Sequence, residues 1–189
     1  MSFTIKSIDE TGPEEGKNYL FDSNVWMYIL IAPHNPTAIG QAYINFFDAI
    51  INLSSNPMCK RKPFIYINGL IYSEVYNAFM KSQWEAYKET SDPTLPFKSY
   101  RTTDNYTANL SAIKSDFRAH KQYLTIDTDL IVPPDQILSE VQLFSDFNDH
   151  YYFKIAQSKN LAIVTNDGDF KYPGVEILTK NYNLLRLPH

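Results

Sequence analysis

The chain has 189 residues, 44% of them hydrophobic and 15% aromatic, and a net charge of −4. It is therefore long and apolar enough for a packed core, and disorder is excluded. One cysteine, Cys59, excludes an internal disulfide and a cysteine zinc site.

The elements follow in chain order. Residues 1–18 are polar and charged, with no apolar signal core, and no apolar run approaches the ~18 residues of a membrane helix. The expectation is a soluble cytoplasmic protein with no membrane partner. TGPEEGK at 11–17 reads as a loop by its Gly, Pro and charge. YLFD then gives a short buried strand, and SNVWMYILI a helix that Ser23 or Asn24 can cap. Ala42, Ile44, Phe46, Phe47, Ile50 and Ile51 recur at helical spacing over 38–53. NPMCKRKP is a basic loop, FIYI at 64–67 a strand, and Gly69 the turn after it.

Leu70, Val75, Phe79 and Trp84 predict a helix over 70–90. The stretch 91–105, with two prolines and little periodicity, predicts a loop. A helix follows over 106–122, and Leu124 to Val132 fits either helix or strand. Helices are expected at 135–144 and 147–159, and strands at LAIVT and VEIL (175–178). Strands alternating with helices predict an α/β domain with a mainly parallel sheet. Such sheets bind ligands beyond the carboxyl ends of their strands, where YLF and AIV lead into Asp22 and Asp167.

Four acids qualify as a site. Asp22 ends the first expected strand, and Glu74 lies in the first turns of the helix after the second. Asp149 lies near the start of the 147–159 helix, and Asp167 follows AIV. Each has an ordinary explanation by itself: a helix cap for Asp22, a solvated helix position for Glu74, a dipole-stabilised helix start for Asp149, and an NDG turn for Asp167. If the strands are parallel neighbours, all four fall on one sheet edge. Converging carboxylates raise one another's pKa, and a hard divalent cation such as Mg²⁺ or Mn²⁺ relieves the repulsion. Charge is also uneven: residues 60–121 carry +4 and the rest −8, which allows a basic surface beside an acidic pocket.

DSNVW at 22–26, SEV at 73–75, DFNDHYYFKIAQSKNLAIVTND at 146–167 and the closing VEIL together resemble the PIN domain family. The resemblance spans about residues 19–178. It implies a three-layer α/β/α fold around a mainly parallel sheet, in one PIN-like domain over 1–189 with an enlarged insertion at 82–145. It further implies a Mg²⁺- or Mn²⁺-dependent endoribonuclease that acts on RNA, in many members as the toxin of a toxin–antitoxin pair. An antitoxin protein and self-association into a homo-oligomer are the partners that setting implies. Asp22, Glu74, Asp149 and Asp167 would be the catalytic and metal-holding acids. Asn24 would orient Asp22, and Thr165 would bond a carboxylate or water. Asp146 and Asp169 are spare acids able to replace their neighbours. The length departs from the shorter toxin pattern, and Lys98 and Arg101 in the extra segment are candidates to contact RNA or a partner.

Two other readings stay open. One is a non-catalytic PIN-like module that binds RNA or protein. The other is a haloacid-dehalogenase-like phosphatase, for which Asp167 and Asp169 would form the later acidic pair, although that family needs an aspartate where Asn24 stands. The four histidines, His34, His120, His150 and His189, share no ligand spacing, and His150 reads as an exposed helix residue. Trp26 and Trp84 read as core, while Trp84, Tyr87 and Tyr100 are also candidates to stack on bases.

Overall fold

The computed structural model describes residues 3–31, 36–127, 133–141 and 146–187. Within them lies one six-stranded sheet, all of whose pairings are parallel. Its strands are β1 (Thr4–Ser7), β2 (Tyr19–Phe21), β3 (Ile65–Asn68), β4 (Leu124–Asp127), β5 (Ala162–Val164) and β6 (Glu176–Thr179), in the spatial order β1-β6-β5-β2-β3-β4. The central strands β2, β3 and β5 are buried at every residue, as strands covered on both faces must be.

Crossover handedness places the helices. The chain steps in one direction along the sheet from β2 through α1 (Ser23–Ile31) and α2 (Ala38–Ser55) to β3. It continues through α3 (Gly69–Thr90), α4 (Phe97–Tyr100) and α5 (Asp104–His120) to β4. It then steps back through α6 (Pro134–Glu140) and α7 (Phe147–Lys159) to β5. Right-handed crossovers put the first set on one face and the second on the other. The result is the expected three-layer α/β/α architecture. A short α8 (Tyr182–Leu185) packs near β1.

The aromatic residues fill the first face. Phe21 meets Trp26, Phe46 and Phe47 at ring separations of 5.8, 6.4 and 6.1 Å, and Tyr19 meets Phe46 at 5.4 Å. On the other face Phe153 stacks on Tyr172 at 4.5 Å. Local signals set the helix ends. Thr37, Asn68, Thr103 and Asp146 accept backbone N–H groups at the starts of α2, α3, α5 and α7. Asn160, left-handed at φ 53°, stops α7.

Several expectations are corrected. β1 lies in a segment read as polar throughout; it is an edge strand in which only Ile5 is buried, so no hydrophobic run announces it. Ser23 and Asn24 lie inside α1 and do not cap it; Asp22 precedes the helix. The 91–105 segment contains α4, anchored by the fully buried Tyr100. Trp84 donates its indole N–H to the Leu95 carbonyl at 2.9 Å and packs on Phe97, and Tyr87 packs on Tyr100. These rings therefore secure the segment from within, and Tyr100 has no face open to a base. His150 is 3% exposed, beside Phe153 and Tyr172, because α7 is covered on the flank where an isolated amphipathic helix would meet water. Leu124–Asp127 is a strand, whereas the rest of that ambiguous segment, the end of the 135–144 helix, His34 and His189 lie outside the described residues.

Phe21→Ala removes a fully buried ring at the centre of this core. Urea unfolding should show a loss of about 3–5 kcal/mol, against about 0.5 kcal/mol or less for Met58→Ala on the surface.

Candidate active site

Topology assembles the acids. β2 lies between β5 and β3, so their carboxyl ends form adjacent exits. Asp22 leaves β2, Asp167 follows β5, and β3 runs directly into α3, whose first turns carry Glu74. A crossover helix runs antiparallel to the strands. α7, which ends just before β5 begins, therefore starts at the same edge and brings Asp149 there.

Asp22 is the centre of the arrangement and is 5% exposed. Its Oδ1 accepts the Ser23 backbone N–H at 2.6 Å. Its Oδ2 accepts the Asn24 amide at 2.6 Å and the Thr165 hydroxyl at 2.7 Å. The Thr165 hydroxyl oxygen in turn accepts the Asp167 backbone N–H at 2.9 Å, and Asn24 Oδ1 accepts the Asn166 N–H at 3.1 Å. Asn24 thus touches the carboxylate two residues before it, whereas Thr165, two residues before Asp167 in sequence, donates to the distant Asp22 carboxylate. Glu74 is held separately. Its Oε1 accepts the Asn148 amide and its Oε2 the Tyr152 hydroxyl, each at 2.5 Å.

The spare acids are occupied differently. Asp146 is exposed and caps α7, accepting the Asp149 N–H at 3.0 Å. Asp169 is exposed and faces Lys171 at 3.5 Å, while its own backbone N–H donates to Asp167 Oδ1 at 2.9 Å. Asp169 therefore fixes Asp167 through the main chain, and its carboxylate points to the surface ion pair.

The electrostatics tie the four acids to one another. Burial pushes the Asp22 carboxyl up to about 6, outweighing the hydrogen bonds from Thr165 and Ser23, and the charges of Asp167 and Glu74 add to the rise. Burial likewise pushes Asp149 up to about 7, with contributions from Asp146, Asp22 and Asp167. Burial and the neighbouring Glu74 carboxylate raise the Tyr152 hydroxyl, which stays protonated and able to donate. Among the described residues, no three His, Cys, Asp or Glu side chains close into a ready-made cage. The oxygen-only donor set still fits a hard cation such as Mg²⁺, which commonly takes one or two carboxylates and keeps several waters.

Residues that carried no sequence signal complete the site. Tyr43 donates to the Thr165 carbonyl at 2.9 Å and accepts the Lys180 N–H at 2.8 Å. Asn181 donates to the Asn166 carbonyl at 2.7 Å, and Asn166 to the Tyr28 hydroxyl at 3.2 Å. Asn148 and Tyr152 lie four apart on α7, the spacing of one helix face, and that spacing is the trace the sequence holds of their shared hold on Glu74.

No family model matches the chain, and no curated protein matches it. Among solved structures it is similar to VapBC2 from Rickettsia felis bound to a DNA fragment from their promoter. The two share 16% identity over 87% of this chain and 98% of that one, at a TM-score of 0.47. A likeness of that degree assigns neither a family nor an activity.

Proposed function

We propose that the protein is a Mg²⁺- or Mn²⁺-dependent endoribonuclease of the PIN type. The observation that carries this is the meeting of Asp22, Asp149, Asp167 and Glu74 at the carboxyl edge of the parallel sheet, close enough that each of Asp22 and Asp149 feels the charge of two or more of the others. Burial and repulsion of this kind are a standing cost in the free protein, and sites that do chemistry are where such costs collect.

Asp22, Asp149 and Asp167 would hold the cation, which supplies stabilisation of the charge that develops on the phosphoryl group. Asn24, Ser23 and Thr165 keep the Asp22 carboxylate in one orientation. Thr165 and the Asp169 N–H keep Asp167 facing it. Glu74, oriented by Asn148 and Tyr152, retains lone pairs on both oxygens with which to position the attacking water and take its proton. Lys and Arg side chains of 60–121 would track the RNA backbone. The toxin half of a toxin–antitoxin pair is the biological setting that the resemblance suggests.

A non-catalytic binding module is the second reading. The observation in its favour is that Glu74 already has both oxygens engaged and that no three acids close into a cage. RNA cleavage with Mg²⁺ or Mn²⁺, with EDTA as control, separates the two.

Asp22→Asn should lower kcat by about a hundredfold or more while circular dichroism stays unchanged; full metal-dependent activity in that variant would sink the assignment. Mg²⁺ or Mn²⁺ should raise Tm, and more strongly at about pH 8 than at about pH 5.5, because ligand carboxyls must lose protons to bind; a shift independent of Asp22 and Asp149 would point to another site. The sign for the metal-free protein runs the other way. Asp22 and Asp149 have folded values near 6 and 7 against 3.8 for an ordinary aspartate. The stability they contribute is present below about pH 4 and is lost as pH rises through their folded values. In EDTA, wild type should therefore lose more stability between about pH 4 and about pH 8 than the Asp22→Asn, Asp149→Asn double variant does, and parallel pH profiles would refute the raised values.

A further inference from the structure

A groove of about 450 Å³ runs between α3 and α5, lined by Tyr72, Ser73, Tyr76, Ile113, Lys114, Phe117 and Arg118, among others. Gly69, the first residue of α3 after β3, also lines the groove, which therefore starts at the sheet edge that carries the acids. Its floor is apolar and aromatic. Tyr72 and Phe117 lie 4.5 Å apart between ring centroids and tilt by 53°, and both are half-buried. The α5 wall is cationic. Lys114 and Arg118 are exposed, and among the described residues neither has a carboxylate partner. No carboxylate lines the groove. The Tyr72 hydroxyl has no hydrogen-bond partner among the described residues, whereas the Tyr76 hydroxyl is taken by Tyr106 at 2.5 Å.

We propose that this groove binds single-stranded RNA next to the cleavage site, with an unstacked base against Tyr72 and Phe117 and the flanking phosphates on Lys114 and Arg118. The inference rests on the ribonuclease reading for its ligand. Two features favour RNA over a protein segment. Ring faces accept any base, and paired unneutralised cations beside them match a polyanion, on a chain that is acidic overall. Of the rings that the sequence offered for stacking, Tyr100 is fully buried, and Trp84 and Tyr87 pack α4 against α3, outside this groove. Tyr72 and Phe117 each keep part of their surface exposed to the groove.

The test measures anisotropy of a short fluorescent single-stranded RNA of mixed sequence bound to the full chain in EDTA, where no cleavage occurs. Lys114→Ala with Arg118→Ala should weaken binding and reduce the salt slope by about 1.4, the value for two phosphate contacts on a single strand. Tyr72→Ala should weaken binding about tenfold without changing that slope and with its circular dichroism and Tm unchanged, and Tyr72→Phe should bind as wild type, which assigns the effect to the ring and not to the hydroxyl. Duplex RNA of the same length should compete poorly. Wild-type binding in all three variants, or equal competition by duplex, would overturn the proposal. So would unchanged RNA binding accompanied by altered self-association of the variants in sedimentation, since the groove would then join copies of the chain. Binding in EDTA is independent of turnover: an inactive protein with groove-dependent binding defeats the nuclease reading alone, and an active one with groove-independent binding defeats this inference alone.

Discussion

A carboxylate at the end of a buried strand must find several donors or it will not stay ionised. Asp22 finds the Ser23 N–H, the Asn24 amide and the Thr165 hydroxyl. That requirement organises the surrounding chain. Thr165 comes from the residue after β5, so the bond stitches two adjacent strand exits together. The same hydroxyl accepts the Asp167 backbone N–H and so ties the main chain of the second aspartate to the carboxylate of the first. Asn24 completes a return path through Asn166. Behind this layer Tyr43, from α2, bridges the exits of β5 and β6 with one hydroxyl. The edge is therefore set before any ligand arrives.

Glu74 belongs to a second set of ties. Asn148 and Tyr152 bring the start of α7, from one face of the sheet, across the edge to α3 on the other. The two sets hold the acids near each other without letting them close. Burial first, and then the charges of their neighbours, keep Asp22 and Asp149 raised, and the local hydrogen bonds do not cancel this. Preorganised repulsion of this kind is suited to a cation that keeps part of its hydration and to a phosphodiester that brings further negative charge. The α5 wall of the α3–α5 groove carries the opposite sign in Lys114 and Arg118.

Much of the fold was legible. Short apolar runs such as YLF and AIV, separated by stretches of helical periodicity, marked the parallel sheet, because burial on both faces demands continuous apolar residues. Asn24 was legible as a partner of Asp22 for a local reason, since it lies two residues away, whereas the bond from Thr165 to Asp22 crosses 143 residues and was not. β1 was not, since an edge strand buries a single side chain. His150 was misread because helical periodicity alone does not show which flank a neighbouring segment covers. Trp84 packs as the core reading had it, whereas Tyr100, offered as a ring for stacking, is fully buried, because composition shows that a segment is rich in aromatics and not that they pack on one another.

The sequence by itself determined the α/β alternation and the position of each acid at a strand exit or a helix start, because both follow from short-range patterns of apolarity and capping. The tertiary structure alone decided the order of the strands, and with it which exits are neighbours. It divided Asp167 from Asp169, giving one a bond to Thr165 and the other a surface lysine. It also recruited Tyr43, Asn148 and Tyr152, whose partners lie 74 to 137 residues away in the chain. Contacts between residues so distant leave no local pattern, since their spacing is set by how the layers stack and not by the chain that joins them.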